Sequence, residues 1–186
     1  MGVLPLIEAD SLAPQHRDIV KSGTNLHRTT AHSPETSRLS QGLGGHLRHK
    51  TTLDGRLREL GILQVACSSG FEYEYAHHLR IGQEFGLTDA DLAAAALETA
   101  GRDSGLEPLG RLVMRAGREM AVGLCASPGT MRELAAALSP EHLVDLVFAL
   151  SFYVGFGRLT GSFELEVEPD LRPLLDRFPI RPDAAV

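Results

Sequence analysis

Phe71, Glu74, His78, Ile81 and Phe85 recur at steps of three and four residues, the spacing of a helix face turned toward a core. Three of them are large and apolar, as a core requires. The other two are a carboxylate and an imidazole one helical turn apart, where side chains meet. Burying both costs on the order of several kcal/mol unless they are paired or hydrogen-bonded. A sequence that places both in such a seam either pairs them for structure or keeps them for proton transfer, and the pattern leaves both readings open. Glu59 has Ile62, Leu63 and Ala66 at i+3, i+4 and i+7, so it too belongs to an apolar face. An antiparallel hairpin across Ser68–Gly70 would bring Glu59, Glu74 and His78 to one pocket. Two carboxylates around one imidazole make a usable acid/base set, because their interaction drives the pKa values apart.

Other candidates are weaker. His77 adjoins His78, so on a helix the two point about 100° apart, and His77 is expected at the rim or on a backbone carbonyl. Tyr73 and Tyr75 read as packing residues, with Tyr73 within reach of a ligand. Arg56 and Arg80 are available to anchor a substrate carboxylate or to stand as solvated charges. His27, His32, His46 and His49 are scattered through the N-terminal third and read as surface residues. Glu59, Glu74 and His78 suit a divalent ion chemically, but no second histidine stands at HxxxH spacing. No metal and no cofactor is therefore expected. Cys67 lies on the apolar face of its helix and behaves as a small hydrophobe.

The elements that must position these groups are helical. Residues 1–24 read as an arm lying on the domain, 25–171 as the domain and 172–186 as a tail. A short helix is expected over Asn25–His32, ending before Pro34. A second runs from Pro34 toward Lys50 with Ser33 as N-cap, weakened by Gly44-Gly45 or opened there to a close neighbour. Asp54 caps the helix that carries Glu59, and Ser68-Ser69-Gly70 ends it. The next helix spans Phe71 to Phe85 and stops at Gly86. Thr88 opens a third, Glu107–Val122 and Pro128–Leu138 supply two more, and Ser139-Pro140 opens a long last helix. The run LVDLVFALSFYVGFG in that helix is apolar almost all round. It is shorter than the roughly 20 apolar residues of a membrane span, so it reads as a core helix or a subunit interface. FELEVE, from Phe163, alternates briefly but has no pairing partner. The fold class is all-α.

Composition agrees. The chain has 186 residues, 43% hydrophobic and 23% charged, with a net charge of −6, ordinary for a globular domain and enough for a core without disulfides. Its basic residues are scattered, so no nucleic-acid partner is expected. Cys67 and Cys125 are the only cysteines, which excludes a disulfide framework, a zinc knuckle and a CxxC pair. MGVLPLIEAD lacks the charge pattern of a secretory signal. A cytoplasmic protein with no membrane partner is expected.

The stretch RLRELGILQVACSSGFEYEYAHHLRIGQEFGLTDADLAAAAL resembles the core of the carboxymuconolactone decarboxylase and AhpD-like family. NLHRTTAHSP resembles the segment before that core, and SPEHLVDLVFALSFYVGFGRLTGSFELEVEPDL its closing helix and tail. The peroxidase branch of the family carries a Glu, eleven residues, then CxxCxxxH. Laid on this sequence, that pattern falls on Glu59, Phe71, Glu74 and His78, so the acid and the histidine are kept and both thiols are gone. Loss of the nucleophilic and resolving thiols makes peroxide reduction improbable, and Cys67 lies one turn too early to replace them. The resemblance implies an AhpD-like helical bundle that forms homo-oligomers (dimers, trimers or hexamers). It implies a cofactor-independent decarboxylase-like lyase or isomerase acting on a small acidic or lactone-like metabolite. Glu59, Glu74 and His78 would be catalytic, with His78 held by Glu74. Tyr73, His77 and Arg56 would bind substrate. A non-catalytic, ligand-binding oligomer is the alternative.

Overall fold

A computed structural model of the chain describes residues 2–180. It is all-α: nine helices and no strand among the described residues. The arm forms two short 3-10 helices, Ala9–Ser11 and Pro14–Val20. Ile19 and Val20 pack it onto Ala31.

Helices α1 (Asn25–Thr30) and α2 (Pro34–His49) follow. The Thr24 hydroxyl caps α1 by accepting the backbone N–H of His27. Proline at the start of α2 lacks the N–H that a helix's first turn leaves unused. Ser33 occupies the N-cap position, but its hydroxyl bonds Thr36 Oγ1 rather than the backbone.

Helix α3 (Gly55–Ser69) is the axis of the molecule. Asp54 caps it, and every residue from Arg58 to Cys67 is buried. The apolar residues of this segment, widened by Ile62, Val65 and Ala66, predict a central and largely buried helix, and the structure agrees: α4, α5, α6 and α8 all pack against it. Gly70 closes α3 in the left-handed conformation, with φ of 71°, which costs glycine nothing. The chain then reverses into α4 (Glu72–Glu84), so the expected hairpin of α3 and α4 forms.

Helices α5 (Asp89–Thr99), α6 (Pro108–Val122) and α7 (Pro128–Ala137) complete the far side. Thr88 and Asp91 form a reciprocal capping box on α5. Helix α8 (Pro140–Ser162) is capped by Ser139. It is long and apolar enough to cross a membrane by length and composition alone. Here it packs in the bundle, with Leu146, Leu150, Tyr153 and Val154 buried.

FELEVE pairs with nothing. It runs as an irregular strap in which Glu164 takes a positive φ of 52° and Val167 enters a small core with Tyr73, Ala76 and Leu171. Part of the stretch read as a tail is structured. Helix α9 (Arg172–Arg177) follows the strap, and Phe178 is buried in the main core. Residues 181–186 of that stretch lie outside the described residues.

Candidate active site

Glu59 and His78 meet across the α3–α4 hairpin. His78 Nδ1 lies 2.7 Å from Glu59 Oε2, and Arg58 Nε donates to Glu59 Oε1 at 3.0 Å. All three side chains are 2% exposed or less. Burial pushes the Glu59 carboxyl up, but its contacts with His78 and with the Arg58 guanidinium outweigh burial and leave Glu59 below the usual range. Arg58 holds the carboxylate whatever His78 does, because a guanidinium stays charged. Burial lowers the His78 pKa, and the opposing pull of Glu59 does not restore it. The pair is thus a carboxylate and a neutral imidazole. An ionised carboxylate only accepts, so Nδ1 carries the hydrogen and Nε2 presents its lone pair.

Glu74 does not hold His78, contrary to the expectation from their i, i+4 spacing. Its Oε2 stands 3.9 Å from His78 Nε2, beyond a hydrogen bond, and its Oε1 is buried without a partner. The closer Glu59 takes the orienting role because it reaches Nδ1 from the facing helix. Burial drives the Glu74 carboxyl up to about 7, with Arg48 opposing and Glu168 reinforcing the shift. Glu74 therefore carries a proton for much of the neutral range, next to the free nitrogen of His78.

Both groups line a cleft of about 640 Å³, counting its open mouth. Its walls come from α1, α2, α4 and α8. Tyr153 of α8 stands edge-on to His78, with ring centroids 4.4 Å apart, and Phe152 stacks on Phe156 at 4.3 Å. Glu59 lies behind His78 and does not line the cleft.

His77 lines the cleft beside His78; the 100° between neighbours is accommodated because the cleft wraps around α4. Its Nε2 lies 2.8 Å from Glu168 Oε2. Tyr73 also lines the cleft; its hydroxyl donates to Glu168 Oε1 at 2.9 Å and accepts the Leu26 N–H. The backbone N–H of Asn25 completes the set on Glu168 at 2.7 Å. Against the cost of burial, the hydrogen bonds from His77 and Asn25 hold the Glu168 carboxyl down at about 2. Glu168 thereby ties the strap to α1 and α4.

Arg56 is placed elsewhere. It pairs with Asp91 at 2.5 Å and Glu107 at 2.8 Å, binding α3 to α5 and α6, and does not line the cleft. Arg80 pairs with Asp170 at 2.9 Å on the surface. The cleft's arginine is Arg48 of α2, which sequence reasoning passed over; its signal is the row Ser37, Ser40, Gln41, Gly44, Arg48, small or polar residues at helical spacing. His27, read as a surface residue, lines the cleft as well. Burial, then Arg48 and His77, lower its pKa to about 4. Cys67 is buried and bonds the Ile180 carbonyl and Thr99, away from the cleft. Among the described residues no three His, Cys, Asp or Glu side chains form a metal-ligand group.

A helical bundle with a carboxylate–imidazole pair behind a small cleft defines an AhpD-like all-α protein. Residues 34–103 match the family model of the carboxymuconolactone decarboxylase family, so that stretch of the chain is similar to this family and the bundle as a whole has an AhpD-like fold. No curated protein sequence matches it. Among solved structures it is similar to an uncharacterized peroxidase-related protein with an alkylhydroperoxidase AhpD core from Ralstonia eutropha JMP134. The TM-score is 0.77 at 16% identity, over 91% of this chain and 94% of the other. It is also similar to a cysteine-to-alanine variant of the debrominase Bmp8 in complex with 2,3,4-tribromopyrrole. There the TM-score is 0.77 at 17% identity, over 96% of this chain and all of the other. These likenesses concern the fold.

Proposed function

We propose that the chain is a cofactor-independent acid/base enzyme of the carboxymuconolactone decarboxylase type, a lyase or isomerase of a small acidic or lactone-like metabolite. The observation that carries this reading is the arrangement Glu59–His78–Glu74: a neutral imidazole and a carboxyl at about 7 line one cleft, and an ionised carboxylate behind the imidazole fixes its tautomer. His78 Nε2 takes a proton from the substrate, and Glu59 stabilises the imidazolium that forms. In a decarboxylation the C–C bond to the leaving carboxylate breaks, and its electron pair enters a conjugated carbonyl, giving a dienolate and carbon dioxide. Glu74 then gives its proton to the carbon and is reprotonated from solvent.

Thiol peroxidase chemistry has little support. Phe71 and Glu74 stand where the redox cysteines of the peroxidase branch fall, and Cys67 points into the core. The debrominase neighbour holds a small planar ring, a ligand size that suits a cleft of this kind.

We infer also that the chain acts as a homo-oligomer. Val144 and Phe148 of α8 and Leu39 of α2 are more than half exposed, an apolar surface suited to a second copy.

Turnover of candidate lactone acids, read as carbon dioxide release and loss of substrate absorbance, tests the proposal. His78→Ala and Glu74→Gln should each lower kcat by about 10²-fold or more, the usual worth of a positioned acid or base. Equal turnover by all three proteins removes these residues from the mechanism.

A further inference from the structure

Arg48 stands apart from the other arginines near the core. Arg56 and Arg58 have carboxylates in contact, and Arg28, Arg38, Arg80 and Arg115 do so at the surface. Arg48 lies half-buried in the cleft wall with no ion pair, and its Nε is shielded from water without a hydrogen-bond partner. Its charge is felt across the cleft, lowering the pKa of His27, Glu74 and His78. Yet none of these neutralises it: His27 and His78 are neutral, and Glu74 forms no ion pair with it. A buried donor of a charged group left unpaired is costly, and a guanidinium matches a carboxylate through two parallel N–H bonds.

A second orphan, Glu74 Oε1, belongs to a side chain that lines the same cleft. The stacked rings of Phe152 and Phe156 and the ring of Tyr153 line the same cleft, walls that favour a flat, unsaturated body. We propose that Arg48 is the anion anchor of this cleft and that the ligand is a planar, unsaturated carboxylate. Its charged end sits on Arg48, its body lies against Phe152 and Phe156, and its far end meets Glu74 and His78.

This deepens the acid/base reading and rests on it for the role of the far end. It also settles which carboxylate reacts. An anion stabilised by a guanidinium resists losing its charge to carbon dioxide, so the carboxylate on Arg48 is retained. A substrate that is decarboxylated here carries a second one near His78.

Binding, measured without turnover, separates the two readings. Calorimetric titration of the full chain at pH 7 with benzoate, and with benzamide as its neutral counterpart, should give saturable binding of benzoate at least tenfold tighter than benzamide. Arg48→Gln should abolish that preference and Arg48→Lys should keep part of it, with circular dichroism confirming that both variants are folded. Equal binding of benzoate and benzamide to the unaltered chain overturns the proposal, as does undiminished benzoate preference in Arg48→Gln or no saturable benzoate binding at all. His78→Ala should still bind benzoate at least tenfold tighter than benzamide, whatever its overall affinity. Failure of the acid/base mechanism would thus leave the anchor standing, and the reverse.

Discussion

Glu74 shows how burial turns an ordinary side chain into a reagent. Its carboxyl rises from 4.5 to about 7 because water is excluded and Oε1 finds no donor. The folded chain therefore keeps a proton that the unfolded chain releases between those two values. The stabilising contribution is complete below about pH 4.5 and is lost as pH rises through 7, and the shift corresponds to about 3 kcal/mol. Glu74→Gln removes this dependence. In urea unfolding, its stability relative to the unaltered chain should increase by roughly that amount between pH 5 and pH 8; parallel curves would mean that Glu74 titrates as an exposed glutamate does. Turnover by the unaltered enzyme should fall above about pH 7, where the proton donor is spent. Glu59 behaves oppositely. Glu59→Ala leaves Arg58 buried and uncompensated, and should cost about 3–5 kcal/mol in the same measurement.

Helices α3 and α4 set the distance between the two halves of the site, and α8 packs on α4 as well as on α3. Phe71, at the N-terminus of α4, lies over Gly157; a Cβ there would fall 1.9 Å from the ring. Gly157→Ala should displace Phe71, cost about 1–3 kcal/mol of stability by overpacking, and lower turnover by moving His78 away from Glu59. Phe71→Ala in the same chain should recover part of the stability, a coupling that a double-mutant cycle reads directly. Independent, additive losses would show that the two residues do not share this contact. A phenylalanine here, where the peroxidase branch has a thiol, thus serves packing between helices.

The molecule buries one face of α8 and leaves another apolar. Phe148 is 52% exposed and Val144 63%, while Tyr153 of the same helix reaches the cleft. A second copy covering this surface would also bear on the mouth of the site. Light scattering coupled to size exclusion should report a dimer or larger assembly, and Phe148→Glu should shift it toward a monomer. A monomeric unaltered chain would refute the assembly.

Most of the helices and several of their caps were legible along the chain, because periodicity and capping are local properties: Asp54, Thr88 and Ser139 announce their helices through contacts within one turn, whereas Ser33 makes no backbone cap and α9 lies in the stretch read as a tail. So was the trio Glu59, Glu74 and His78, since ionisable groups on apolar faces are conspicuous. Their partnerships were not. Whether His78 leans on Glu59 or on Glu74 depends on how α4 is rotated against α3, and i, i+4 spacing within one helix says nothing of the helix opposite. Arg56 and Arg48 are equally plain arginines in sequence. Packing alone gives one of them two carboxylates and leaves the other unpaired in the cleft, because long-range neighbours, not residue type, decide which charge is already neutralised.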